Sequence, residues 1–195
     1  MGQAALDPET LLNAYAQGAF PMADEDGAVR WYTANPRGVI PLESFRASRS
    51  LRAVIRHQCY ELRVNGAFER TMRACMERRA GQTWINERLI RAYVQLHQLG
   101  FAHSVESWQG GELAGGLYGV ALGGAFFGES MFHLRRDASK VALCHLVQRL
   151  REREFVLLDT QASTPHLKQF GCVEMPAEEY LARLRAAIPL PRRFD

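Results

Sequence analysis

Hydrophobic positions along the chain follow two periods, one of about 3.6 residues and one of about 2, and the change between them divides the sequence. Leu11, Leu12 and Tyr15 fall at helical spacing behind Asp7-Pro8-Glu9. Asp7 can cap such a helix, Pro8 suits its first position and Gly18 is placed to stop it. Residues 19–42 are rich in Pro, Gly, Asp and aromatics, which predicts an irregular stretch with one short extended piece around Val29–Tyr32. A second helix is expected from Asn65, with Phe68, Met72, Cys75 and Met76 inward and Gly81 at its end. A third has Asn86 as cap, Ile85 and Ile90 as a hydrophobic staple, Leu89, Tyr93 and Leu96 on its buried face and Gly100 as its stop. Beyond Gly100 the period becomes two. Residues 103–108 alternate, Gln109-Gly110-Gly111 reads as a hairpin turn, residues 112–122 form a second strand, and Gly123-Gly124 turns into the apolar run 125–128. Helical composition returns from about residue 138 to 153, followed by a second apolar run at 155–158.

The two apolar runs set the candidate chemistry. The first ends in Glu129-Ser130 and the second in Asp159-Thr160-Gln161. A strand, a crossover helix and a parallel strand bring both polar ends to one edge of a sheet, where ligands of such sheets bind. Two acids and a carboxamide would then face one crevice. The alternative, that Glu129 and Asp159 simply cap the next element, is equally compatible with the pattern. Periodicity alone gives a mixed α+β protein, with a small irregular N-terminal annex over residues 1–48 and a sheet domain over 49–195.

Composition excludes several classes. At 195 residues, 47% hydrophobic and 23% charged, the chain is an ordinary globular one, neither disordered nor collagen-like. No apolar run reaches the roughly 20 residues of a membrane span, and the N-terminus shows no signal-peptide pattern. Four cysteines, widely spaced and without a C-x-x-C pair, read as small buried hydrophobes of a reducing cytoplasm. Six histidines show no metal-ligand spacing, so no metal is assigned, although His133 and His166 fall near the crevice. The net charge of +3 is modest, so its distribution matters more than its sum. Arg49, Arg52 and Arg56 stand at i, i+3 and i+7 and share a helix face. That stripe is either a solvated face or a phosphate-binding one. Arg70, Arg73, Arg78 and Arg79 would lie on the outer face of the second helix, a further contribution to a basic surface. Residues 133–139 contain no glycine, and Asp137 opens the crossover helix; both disfavour a coenzyme A pyrophosphate there. No cofactor is therefore expected. Ser130 adjoins an acid but has no evident histidine base, so it does not read as a nucleophile.

One resemblance covers most of the chain. Gly128-Glu129-Ser130-Met131-Phe132, Ala138-Ser139-Lys140 and Asp159-Thr160-Gln161 at this spacing resemble leucyl/phenylalanyl-tRNA–protein transferase. So do Gly18-Ala19-Phe20-Pro21, Asn35-Pro36-Arg37, Gly81-Gln82-Thr83-Trp84-Ile85 and His103-Ser104-Val105-Glu106-Ser107-Trp108. The resemblance implies an α+β, acetyltransferase-like mixed sheet with flanking helices, and a monomeric cytoplasmic enzyme that needs no cofactor. Its reaction would move Leu, Phe or Met from aminoacyl-tRNA to the N-terminal Arg or Lys of acceptor proteins, marking them for N-degron proteolysis. It implies that Gln161 contacts the attacking amine, that Asp159 orients the Gln161 amide and that Glu129 attracts the cationic acceptor. Leu117, Phe126, Met131, Leu143, Leu146 and Leu158 match the family's pocket for the transferred side chain. Trp84 matches an aromatic that stacks on the terminal adenine; where a partner aromatic is expected after Phe20-Pro21, this chain has Met22. Arg49, Arg52 and Arg56 would grip tRNA phosphates. Two rival readings are an N-acyltransferase using a thioester and a non-catalytic tRNA- or N-degron-binding module. The second would keep the basic stripe and Glu129 without needing Gln161.

Overall fold

The computed structural model of the protein describes residues 5–78 and 83–195. Helix α1 (Pro8–Ala16) begins as its sequence predicts: the Asp7 carboxylate accepts the Thr10 N–H at 2.9 Å. Gly18 turns the chain at φ +80°. The next stretch is more ordered than its composition suggests. Strand β1 (Phe20–Ala23) pairs antiparallel with β2 (Val29–Tyr32) as a separate two-stranded sheet. Strand β3 (Arg37–Val39) then enters the main sheet. Helix α2 (Arg49–Arg56), capped by Ser48, and strand β4 (Glu61–Val64) follow. Helix α3 (Phe68–Glu77) starts three residues later than expected, because Asn65 is left-handed and the Glu106 carboxylate caps the turn by accepting the Gly66 and Ala67 N–H groups at 3.2 Å each. Gly81, the expected stop of that helix, and Arg79, expected on its outer face, lie outside the described residues. Helix α4 (Glu87–Gln98) has Asn86 as its cap, accepting the Leu89 N–H at 3.0 Å.

Strands β5 (Ala102–Gln109) and β6 (Glu112–Leu122) are joined through Gly110 and Gly111, both at positive φ, as a tight hairpin requires. Strand β7 (Ala125–His133) is longer than the apolar run that announced it, so Glu129 sits inside the strand and not at its end. Helix α5 (Ala138–Glu152) crosses over to β8 (Leu157–Gln161). Helix α6 (Pro165–Lys168), strand β9 (Val173–Met175) and helix α7 (Ala177–Ala187) complete the chain.

The fold is the expected α+β arrangement of a mixed sheet with flanking helices, in the order β4-β5-β6-β7-β8-β3-β9. Among the described residues only β7 and β8 run parallel in it. An annex ending at residue 48 would take β3 out of this sheet, where it pairs with β8 on one side and β9 on the other.

Alternation along the strands builds two cores. Tyr118, Phe127 and Leu157 face one side, against α1, α3, α4 and α7 through Leu11, Met72, Leu89 and Leu184. Their neighbours Leu117, Phe126 and Leu158 face the other, against α5 and α2 through Leu143, Leu146 and Leu51. Of the four cysteines, Cys75 and Cys172 are buried as expected, whereas Cys59 is exposed and Cys144 half-buried. Among the described residues no helix is long and apolar enough to cross a membrane.

Candidate functional site

The parallel pair at the centre of the sheet comes apart. Strands β7 and β8 are in register only from Ala125↔Leu157 to Phe127↔Asp159, and then diverge. On the other side of β7 the register shifts, with Tyr118 opposite Ser130 but Gly119 opposite Gly128, so Glu129 is the extra residue of a β-bulge. Gly119 permits this close passage: a Cβ there would lie 2.2 Å from the Phe127 carbonyl oxygen. A cleft of about 500 Å³ opens where the strands part. Leu117, Met131, Leu143, Leu146 and Leu158 line it, with Phe20, Met22 and Trp84 on the annex side. Glu129 and Gln161 supply its inner polar groups, and His133 and His166 also line it.

Glu129 is held from two directions. Gln161 Nε2 donates to its Oε1 at 3.2 Å, and the Tyr93 hydroxyl donates to its Oε2 at 3.3 Å. Behind Tyr93, the Tyr15 hydroxyl shares a hydrogen bond with the Tyr93 hydroxyl. Burial pushes the Glu129 carboxyl up to about 8; the tyrosine hydroxyls and Arg37 oppose that rise and the Asp159 charge adds to it. Burial, and then the Glu129 charge, also lift both phenols well above the ordinary tyrosine range.

Asp159 does not face the cleft. It is fully buried on the opposite side of β8, where Arg37 grips it with Nε at 2.9 Å and Nη2 at 2.6 Å and the Tyr180 hydroxyl donates at 2.8 Å. Its Oδ1 accepts the backbone N–H of Gln161 at 2.8 Å. Asp159 therefore fixes Gln161 through the main chain and not through the side-chain amide. The expectation that the two side chains share a face assumed extended backbone. Gln161 is instead left-handed, at φ +55°, and this turns its side chain into the cleft. Arg37 adds a bond to the Gly18 carbonyl and lies between the rings of Phe20 and Tyr180, 5.0 and 4.5 Å from their centroids.

Phe126 is a second correction. It is fully buried, absent from the cleft wall and packed on Phe194 at 5.1 Å between centroids, so it belongs to the core. Trp84 and the other five expected pocket residues do line the cleft. Arg49, Arg52 and Arg56 are exposed on α2, outside the cleft wall, and make no ion pair among the described residues. Burial, then Lys140 and His133, hold the His166 imidazole below its ordinary value. Among the described residues no group of three or more metal-ligating side chains comes together.

Tyr15, Tyr93, Arg37 and Tyr180 are the residues sequence reasoning missed. Tyr15 and Tyr93 were legible as buried helix positions, and a buried phenol needs a partner for its hydroxyl, which is the signal that points to a polar site behind the core. Arg37 stood in a recognised segment but nothing local marks it as buried.

A family model described as "Leucyl/phenylalanyl-tRNA protein transferase" matches residues 39–185, and one described as the N-terminal domain of the same transferase matches residues 4–35. Proteins named leucyl/phenylalanyl-tRNA–protein transferase are similar over nearly the whole chain. That of Gloeobacter violaceus is 54% identical over 190 residues, 97% of each chain. That of Rubrobacter xylanophilus is 53% identical over 190 residues, 97% of this chain and 98% of that one. That of Maricaulis maris is 53% identical over 191 residues, 96% of this chain and 88% of that one. Among solved structures, L-PGS from Bacillus licheniformis matches with a TM-score of 0.45 at 13% identity, over 84% of this chain and 55% of that one. A ribosomal-protein-alanine N-acetyltransferase from Brucella melitensis matches at 0.41 and 15% identity, over 56% of this chain and 84% of that one.

Proposed function

The chain belongs to the leucyl/phenylalanyl-tRNA–protein transferase family and is an aminoacyltransferase, and from that premise we propose that it moves Leu, Phe or Met from aminoacyl-tRNA to the N-terminal Arg or Lys of acceptor proteins. The product is a substrate for N-degron proteolysis in the cytoplasm. The observation that carries this reading is the Glu129–Gln161 pair, set at the divergence of β7 and β8 in an otherwise largely apolar cleft.

An aminoacyl ester is already activated, so the enzyme needs no covalent intermediate. The acceptor amine must reach the ester carbonyl as a neutral nucleophile, and the two substrates must be held in line. The transferred side chain lies against Leu117, Met131, Leu143, Leu146 and Leu158, and the terminal adenine stacks on Trp84. Glu129, ionised once the cationic acceptor lies beside it, draws that acceptor and takes a proton from its ammonium group. Gln161, with Nε2 engaged by Glu129, keeps its oxygen to accept an N–H of the attacking amine. The amine nitrogen bonds to the carbonyl carbon, the bond to the terminal ribose oxygen breaks, and that oxygen leaves with the second proton the amine gives up, the first having gone to Glu129. Asp159 and Arg37 position Gln161 from behind. Arg49, Arg52 and Arg56 hold tRNA phosphates outside the cleft.

The glycine-free 133–139 segment favours this reading over a thioester acyltransferase, and the carboxamide aimed at Glu129 favours it over a binding module. Labelled leucyl-tRNA and an Arg-starting peptide should give a peptide extended by one leucine. Product only with acetyl-coenzyme A, or none with either donor, would overturn the assignment.

A further inference from the structure

The bulge that displaces Glu129 leaves Ser130 opposite Tyr118 and Met131 opposite Leu117. Successive residues of a strand face opposite sides, so Ser130 shares a face with Tyr118 and Met131 shares one with Leu117. Leu117 and Met131 pack with the α5 core, whereas Tyr118 belongs to the other core, against which Trp84 packs. Ser130 thus lines the cleft on the Trp84 side, next along the chain from Glu129 and directly before the apolar wall begun by Met131. It is 8% exposed, and its Oγ is shielded from solvent with no hydrogen-bond partner among the described residues. Native folds seldom keep a buried hydroxyl unsatisfied without a reason, and here the residue lines the cleft, where rotation about its Cα–Cβ bond would present the hydroxyl to a bound ligand.

A donor whose amino-acid side chain meets Leu117 and Met131 and whose adenine meets Trp84 has its ribose and ester between them, on the stretch of wall that Ser130 occupies. We propose that the Ser130 hydroxyl donates a hydrogen bond to this terminal aminoacyl ester, at the carbonyl oxygen or at the neighbouring ribose hydroxyl. The inference rests on the reading of the protein as one that takes an aminoacyl-tRNA donor. It adds no covalent step: Ser130 is a hydrogen-bond donor to the bound ester, and the amine of the acceptor remains the nucleophile.

The test compares wild type, Ser130→Ala and Ser130→Cys with labelled leucyl-tRNA and an Arg-starting peptide, alongside thermal melts of each. Removing the hydroxyl also removes an unpaired polar group from the empty fold, so Ser130→Ala should melt at or above the wild-type temperature. Its kcat/KM for the donor should nonetheless fall by about 5- to 150-fold, the effect of one well-placed hydrogen bond. Ser130→Cys, which keeps a weak donor, should fall between the two. A donor ending in 2′-deoxyadenosine separates the acceptors. If its penalty and that of Ser130→Ala are less than additive, the ribose hydroxyl is the partner; full additivity places the bond on the ester carbonyl. Transfer by Ser130→Ala at the wild-type rate would overturn the inference, as would slowed transfer accompanied by a lowered melting temperature, the mark of a structural hydroxyl. Absence of transfer by the wild type would instead overturn the donor reading on which it rests.

Discussion

Glu129 is protonated at neutral pH in the empty cleft, because burial lifts its carboxyl to about 8. A cationic N-terminus placed beside it favours the ionised form, so acceptor binding and proton release are linked. The apparent KM for an Arg-starting peptide should therefore fall as pH rises toward 8. Glu129→Gln should raise that KM and flatten its pH dependence. The same group has a stability signature of the opposite sense. Its folded value lies above the ordinary 4.5, so between about 4.5 and 8 the native protein holds a proton that the unfolded chain has released. Stability contributed by this group is full below that window and is lost as pH rises through it. Melts at pH 5 and pH 9 should show wild type losing ground to Glu129→Gln; parallel curves would show that Glu129 is not so buried. The Arg37–Asp159 pair behaves differently, since both partners are buried and bonded on several sides. Arg37→Met strands the carboxylate and should cost about 3–5 kcal/mol in denaturant unfolding. Adding Asp159→Asn should recover part of that loss, whereas independent losses that simply sum would dissolve the pair.

At the scale of elements, what the sequence revealed depended on length. Helices α1 and α4 carry caps and apolar residues at helical spacing, so they were readable almost to their ends. Strands β3, β4 and β9 span three or four residues, too few for a period of two to show, and β3 and β9 lie side by side beyond β8 at one edge of the sheet. The bulge at Glu129 was hidden for another reason: it is a relation between β6 and β7, written in no single strand. Helix α2 is exposed along Arg49, Arg52 and Arg56, and its role is decided by what it meets in solution. If those arginines hold tRNA phosphates, replacing all three should flatten the salt dependence of tRNA binding by about 0.7 to 0.9 per lost contact. Transfer from a short aminoacyl-adenosine donor, which lacks those phosphates, should be nearly unchanged. Equal losses with both donors would mark a folding defect instead.

The whole molecule joins two cores through one sheet, and its cleft opens where that sheet parts between β7 and β8. Glu129 and Gln161 were legible because the polar ends of two apolar runs can meet at one edge, whereas the apolar lining was legible only through the family resemblance. Phe126 was expected in the pocket from the resemblance alone; it shares a face with Leu117 and Leu158, which do reach the cleft, and only packing against Phe194, far away in sequence, shows that Phe126 does not. Asp159 was misplaced because a single left-handed residue, Gln161, breaks the alternation that would have put both side chains together. What sequence could not supply in either case was a long-range contact or a backbone reversal. Single-turnover transfer of labelled leucine from leucyl-tRNA to an Arg-starting peptide by Gln161→Ala, with tRNA affinity and melting temperature taken on the same preparation, tests most directly whether chemistry occurs at the Glu129–Gln161 crevice. The expected result is a rate lower by about 5- to 150-fold with tRNA bound as tightly as by wild type. A folded, tRNA-bound Gln161→Ala that transfers leucine at the wild-type rate would contradict it.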